Sequence, residues 1–172
     1  MDFGGSLGST YFQNKTIFDR LPEVSWNVIE QSRFVQEGKS TFQDERLRFF
    51  YNLEEYLQTG AQADILLISC TLPYLEKPHE MLSQLLEGDF RFVVIDNTPY
   101  NIEDKDRLVI QHVPASIYPA TMPAWLLSYK KIKRIIEEKY NLIAEYDNES
   151  YIYVDGTKIK YRGLFAETKK RK

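Results

Sequence analysis

Residues 64–70, Asp-Ile-Leu-Leu-Ile-Ser-Cys, constrain the fold more than any other stretch, because they form a nearly continuous apolar run. Such a run suits a strand buried on both faces, which is the environment of a parallel sheet covered by helices. A second run of the same kind spans 90–95 and ends at Asp96. Between the two lie a proline-containing loop at 71–78 and a helix over 79–87, with Met81, Leu82, Leu85 and Leu86 along its inner side. Upstream, the pattern predicts a helix over 9–20, strands over 24–29 and 47–51, a short helix or turn over 31–38, and a helix from Leu53 to near Gly60. Strand and helix alternate five times, so the expected fold is α/β: a doubly wound, mostly parallel sheet whose ligand sits outside the carboxyl ends of the strands.

Beyond Asp96 the pattern changes. Residues 97–122 carry Pro99, Pro114 and Pro119 but few helix signals, and a connection of that length is expected to serve as a lid or binding loop. A basic amphipathic helix over 124–139 and a strand over 141–146 follow. Strands over 151–154 and 158–166 flank Asp155-Gly156, a dipeptide that favours a tight hairpin, so the sheet ends antiparallel.

With 172 residues the chain has room for one domain with a substantial core, expected over 1–168, followed by the basic run Lys169-Lys170-Arg171-Lys172 as a solvated tail. No apolar run approaches the roughly 18 residues of a membrane span. The N-terminus lacks the order of a signal peptide, and a lone Cys70 cannot form an internal disulfide, so a cytoplasmic location is expected. A formal net charge of −3, with the main basic cluster at the terminus, argues against a nucleic-acid partner. His79, His112 and Cys70 are not paired in sequence, and no metal is expected.

The chemistry-bearing residues fall at the ends of the expected strands. Asp2 and Phe3 end the first strand, and Gly4-Gly5-Ser6-Leu7-Gly8 forms a turn into a helix, where glycines let backbone N–H groups approach a ligand closely. Glu30 ends the second strand 22 positions after Gly8, near the roughly 20 at which nucleotide-binding units set an acid against ribose hydroxyls. Asn52 follows the third strand and Cys70 ends the fourth. Taken singly, Asp2, Glu30 and Asn52 also fit a turn acid, a strand-end charge and a helix cap. Together at one sheet edge they describe a nucleoside site.

This arrangement resembles the class I S-adenosylmethionine-dependent methyltransferases. Asp2-Phe3-Gly4-Gly5-Ser6-Leu7-Gly8 is similar to the family's first motif, with Ser6 where a glycine is common. Glu30 resembles the acid that holds the ribose, and Asn52-Leu53 the pair that flanks the adenine. Residues 64–75 resemble the fourth motif, whose loop faces the methyl donor. The resemblance is narrower still to a bacterial group of methyltransferase-like proteins whose genes often accompany those for surface polysaccharides, through residues 2–9, the strand at 26–30, Ile117-Tyr118-Pro119 and Met122-Pro123-Ala124-Trp125.

What the resemblance implies is a Rossmann-like methyltransferase fold and S-adenosylmethionine as cofactor. It assigns cofactor contacts to Asp2, Gly4, Gly5, Ser6, Gly8, Glu30, Gln31, Asn52, Leu53 and Cys70. The implied partner is a small-molecule acceptor, a sugar or sugar nucleotide, and a homodimer is compatible with it. Only Met1, Asp2 and Phe3 precede Gly4, so the first strand is expected to be truncated and to leave ladder groups of its neighbours open, at about 1–3 kcal/mol for each buried group.

For acid–base chemistry His112 is the leading candidate, since it lies in the long connection and histidine is the side chain best suited to exchange a proton at neutral pH; Tyr74 is the second, with Tyr100, Tyr118 and Asp96 also near the mouth. Tyr118, Trp125 and Tyr100 are candidate walls of an acceptor pocket. Asn97-Thr98-Pro99-Tyr100 is similar to a signature of nucleobase methyltransferases, but it follows the fifth strand instead of the fourth, and Thr98 breaks it. Two competing expectations remain: a non-catalytic methyltransferase-like module that has lost donor binding, and a nicotinamide-dependent oxidoreductase, whose Gly-x-Gly-x-x-Gly spacing the turn does not fit.

Overall fold

A computed structural model describes residues 1–169. The elements are β1 (Asp2–Phe3), α1 (Ser9–Gln13), α2 (Lys15–Phe18), β2 (Trp26–Ile29), α3 (Ser32–Glu37), β3 (Leu47–Phe50), α4 (Leu53–Gln58), β4 (Ile65–Ser69), α5 (Pro78–Leu85) and β5 (Phe92–Pro99). They continue as β6 (Arg107–Val113), β7 (Ala120–Leu126), α6 (Tyr129–Glu137), β8 (Tyr140–Val154) and β9 (Thr157–Thr168). Seven strands form one sheet in the order β3-β2-β1-β4-β5-β9-β8. The five strands β1 to β5 are parallel, and β9 enters antiparallel between β5 and β8. The α/β sheet with its antiparallel end is thus the one expected.

One face carries the larger core. Leu66 and Ile68 of β4 and Val93 and Ile95 of β5 pack there with Leu82 and Leu85 of α5 and Ile132 and Ile136 of α6. On the other face Tyr11, Val28, Val35, Leu47 and Phe49 form a second cluster beneath α1 and α3. That cover extends over β3, β2 and β1 and ends there. Beyond it Ile65 is 46% exposed, and Leu67, Phe92, Val94 and Phe165 on the same face are only half-buried.

The strand β1 is two residues long, yet it bonds to both neighbours: Leu67 N donates to Met1 O at 2.9 Å and Gly4 N to Ile29 O at 2.9 Å. The ladder is therefore closed at its carboxyl end, where the turn begins.

Four expected elements differ. The helix over 9–20 is two short ones broken at Asn14, whose side-chain amide donates to Thr10 O at 2.9 Å and competes with the helical ladder. The long connection is a two-stranded antiparallel ribbon, β6 against β7, paired from Arg107↔Leu126 to Val113↔Ala120. Its β-branched residues form strands despite the prolines, because Pro123 sits where an edge strand tolerates a missing donor. The basic helix consequently starts at Tyr129, since Ala124 to Leu126 are spent on the ribbon. The strands over 141–146 and 151–154 are one strand, β8, interrupted by a register shift between Asp147 and Tyr151. Of the expected tail, residues 170–172 lie outside the described residues, and Lys169 is held to the body through its N–H to Lys139 O at 2.9 Å. Among the described residues, no helix is long and apolar enough to cross a membrane.

Candidate active site

The turn after β1 is left-handed at three alternate positions, Gly4 (φ 79°), Ser6 (φ 53°) and Gly8 (φ 83°). At Gly4 a Cβ would stand 2.2 Å from Thr71 Oγ1, so the fourth-strand loop packs directly on bare backbone. Thr71 Oγ1 lies 3.1 Å from Phe3 O and 2.9 Å from Ser69 O, tying the two loops together. At Gly5 a Cβ would meet Asp2 Oδ2 at 2.4 Å. Asp2 is 2% exposed and accepts the Trp26 indole N–H at 3.1 Å. Burial, reinforced by the Glu30 charge, pushes its carboxyl up to about 6 against the Trp26 hydrogen bond. Asp2 and Gly5 therefore shape the turn from beneath. The helix that follows has only five residues, so the close N–H approach belongs to the turn.

A cavity of about 870 Å³ opens at this edge. Phe3 and Gly4 line it from the turn, Glu30 and Gln31 from the end of β2, Tyr51, Asn52 and Leu53 from the end of β3, and Cys70, Thr71 and Tyr74 from the end of β4. Glu30 is fixed at the rim because its Oε2 accepts the Gln31 N–H at 2.9 Å. Asn52 caps α4, its Oδ1 accepting Glu55 N at 2.8 Å, while Glu55 reaches back to Tyr51 N at 2.6 Å. The capping bond aims the start of α4 at the cavity. Leu53, Leu57 and Met81 form an apolar wall.

At the other end stand Cys70 and Tyr74. Cys70 has φ 54° and its thiol is raised by burial. Tyr74 is raised by burial too, and its hydroxyl donates to Gln111 Oε1 of β6 at 3.0 Å. Tyr161 of β9 is near enough that both of these add to the upward push of its own burial. These groups are neutral phenols and a neutral thiol at neutral pH.

Of the sequence-derived residues, the fold brings Gly4, Glu30, Gln31, Asn52, Leu53, Cys70 and Tyr74 around one cavity. Asp2, Gly5, Ser6 and Gly8 are not among its lining residues. His112 lies apart. It is exposed on β6, its Nδ1 3.2 Å from Thr121 Oγ1, on the face opposite the neighbouring Gln111 that reaches Tyr74. Tyr100 is 5% exposed and stacks edge-on with Tyr129 in the core, Trp125 donates its indole N–H to Leu75 O at 3.1 Å, and Tyr118 is 55% exposed. Gln84 and Gln111 carry no signal in the sequence, whereas Thr71 falls within the stretch that resembles the fourth motif and Met81 on the expected inner side of the helix over 79–87. Among the described residues no group of His, Cys, Asp and Glu is arranged to hold a metal ion.

No family model and no curated protein matches the sequence. Solved structures do match, through their fold. A magnesium protoporphyrin IX methyltransferase, ChlM from Synechocystis PCC 6803 with bound SAH, superposes with a TM-score of 0.64 at 14% identity, over 97% of this chain and 72% of that one. The chain has the methyltransferase fold. The glycopeptide N-methyltransferase MtfA complexed with S-adenosyl-L-homocysteine gives 0.63 at 11% identity, over 97% of this chain and 81% of that one. LepI in complex with SAM gives 0.60 at 12% identity, and there the chain spans 42% of the matched protein's length. At these identities the likeness is one of architecture. The methyltransferase fold places ligands outside the carboxyl ends of its parallel strands, and this is the edge on which the cavity opens.

Proposed function

We propose that this protein is an S-adenosylmethionine-dependent methyltransferase acting on a small molecule, a sugar or sugar nucleotide. The observation that supports the reading is the cavity itself: residues far apart in sequence, from Gly4 to Tyr74, converge on it at the edge where this fold takes its ligands.

The lining suits the donor. Glu30 offers a carboxylate to vicinal ribose hydroxyls, and the wall of Leu53, Leu57 and Met81 offers an apolar slot for a purine. Gly4 supplies bare backbone for the amino-acid end, in space that a Cβ cannot share with Thr71. When bound, the donor's sulfonium supplies an already activated methyl group. What remains for the chain is alignment and the exclusion of water. Cys70 and Tyr74, held neutral by burial, line that end without adding an anion, and the Tyr74 hydroxyl is fixed there by its bond to Gln111.

Calorimetry with S-adenosylmethionine and S-adenosylhomocysteine tests the reading. Micromolar binding is expected, weakened at least about tenfold, or 1.4 kcal/mol, by Glu30→Ala. Failure of the chain to bind either compound at millimolar concentration overturns it.

A further inference from the structure

A second cavity, of about 460 Å³, opens at the same sheet edge on the side of α1. Ser69 lines it while the next two residues, Cys70 and Thr71, line the larger cavity, so the two are neighbours across one loop. Its chemistry is different. Apart from Leu67 the lining is polar: amides from Gln13, Asn14, Asn97 and Asn148, hydroxyls from Thr10, Ser69 and Ser150, and two carboxylates, Asp96 and Glu149. Among the described residues no cationic side chain lines it.

The backbone is bent to build this cavity. The pairing of β5 with β9 shifts register between Ile95 and Thr98, and that of β8 with β9 between Asp147 and Tyr151. The residues freed by the two bulges, 96–97 and 148–150, are those that line the cavity, and Asn97 adopts φ 50° there. Bulges re-aim side chains in this way beside functional sites.

Asp96 is held in place. Its Oδ1 accepts the Tyr146 hydroxyl at 3.1 Å and the Asn148 amide at 3.0 Å, which leaves Oδ2 for a ligand. The charge of Asp96 adds to burial in pushing the Tyr146 phenol up to about 12, so Tyr146 stays a donor. The ring of Tyr146 reaches Asp96 because its cross-strand partner is Gly163, where a Cβ would stand 2.3 Å from the ring.

We infer that this cavity binds the acceptor and that the acceptor is an amino sugar, its ammonium on Asp96 and its hydroxyls on the surrounding amides. Two carboxylates, with no cation among the described lining residues, favour a positive group and disfavour a phosphate or diphosphate. The amides and hydroxyls supply both donors and acceptors, as a polyol requires. The inference rests on the methyltransferase reading for its place in a reaction, and it narrows the acceptor to a phosphate-free amine.

The test is NMR on the full chain titrated with glucosamine, glucose and glucosamine 6-phosphate, with S-adenosylhomocysteine titrated separately. Glucosamine is expected to shift resonances of residues 96–97 and 148–150, and to bind at least about tenfold more tightly than either other sugar. Asp96→Asn, which keeps an oxygen for Tyr146 and Asn148, removes that preference and leaves S-adenosylhomocysteine binding intact; the exposed Glu149→Gln weakens glucosamine in the same direction. Equal binding of glucose and glucosamine, tighter binding of the phosphate ester, shifts that map elsewhere, or no sugar binding by a chain that binds S-adenosylhomocysteine each overturn the inference. Glucosamine binding without S-adenosylhomocysteine binding would instead sink the donor reading and leave the amine site standing.

Discussion

Asp2 and Gly4 show how single residues at the turn divide between structure and site. Gly4 meets the cavity, and its substitution is costly on two counts: a left-handed conformation costs an L-residue about 1–2 kcal/mol, and the new Cβ collides with Thr71. Gly4→Ala is therefore expected to lower stability by at least about 1–2 kcal/mol in urea denaturation and to weaken donor binding by displacing the Thr71 loop. Asp2 lies beneath, and its effect is one of pH. Its carboxyl titrates near 6 in the folded chain against an ordinary 3.8, so the folded state holds the proton more tightly. The associated stability is fully present below 3.8 and is lost as pH rises through about 6. Asp2→Asn should remove that dependence. At acid pH the native chain's denaturation midpoint is expected to match or exceed the variant's, and toward neutrality the native chain is expected to fall behind by up to about 3 kcal/mol.

Among the elements, the β6–β7 ribbon decides the most. It lies on the loop that carries Tyr74, through the Tyr74–Gln111 and Trp125–Leu75 hydrogen bonds. Two acids latch its root to α6. Asp104 Oδ1 accepts Ser128 Oγ at 2.8 Å and Lys130 N at 3.0 Å, and Asp106 Oδ1 accepts Ser128 N at 2.8 Å. Asp106 also binds Lys131 Nζ at 2.6 Å through Oδ2 and lies 3.1 Å from His79 Nε2 on α5. Burial alone would raise the Asp106 carboxyl, but the bonds from Lys131, Ser128 and His79 outweigh it and hold it down to about 2. Its contribution is thus full above the ordinary 3.8 and is lost as pH falls through about 2. Asp106→Ala should cost about 2 kcal/mol at neutral pH, and hydrogen exchange should show the amides of β6 and β7 opening faster while those of β4 and β5 hold.

For the whole molecule, the two faces of the sheet are unequal. Parallel sheets are ordinarily covered on both sides, but here the second face is covered only over β1 to β3, and Ile65, Phe92, Val94 and Phe165 are left part-exposed. Adjacent residues of β4 therefore predict opposite results. Leu66, 0% exposed against α5, should lose about 2–5 kcal/mol when replaced by Ala. Ile65, 46% exposed, should lose under about 1 kcal/mol. Urea denaturation of the two variants checks this, and equal losses would mean that the bare face is covered in solution.

The sequence by itself determined the fold class, because an apolar run at 64–70 flanked by helical patterns suits a parallel sheet covered by helices, and it determined which strand ends meet at one cavity, because a parallel sheet lines those ends along one edge. Glu30, Asn52, Cys70 and Tyr74 were legible on that basis. The ribbon was not, since its apolar residues point both ways and its prolines masked the strand pattern. Nor could the sequence separate Gly4, which meets the cavity, from Gly5, which is filled by Asp2 beneath it. His112 and Asp96 make the same point in reverse: the titratable loop residue is turned away on a ribbon face, while a strand-end acid is aimed by Tyr146, Asn148 and two bulges. Those outcomes depend on register and on which face a side chain meets, and both are decided only when strands distant in sequence pair.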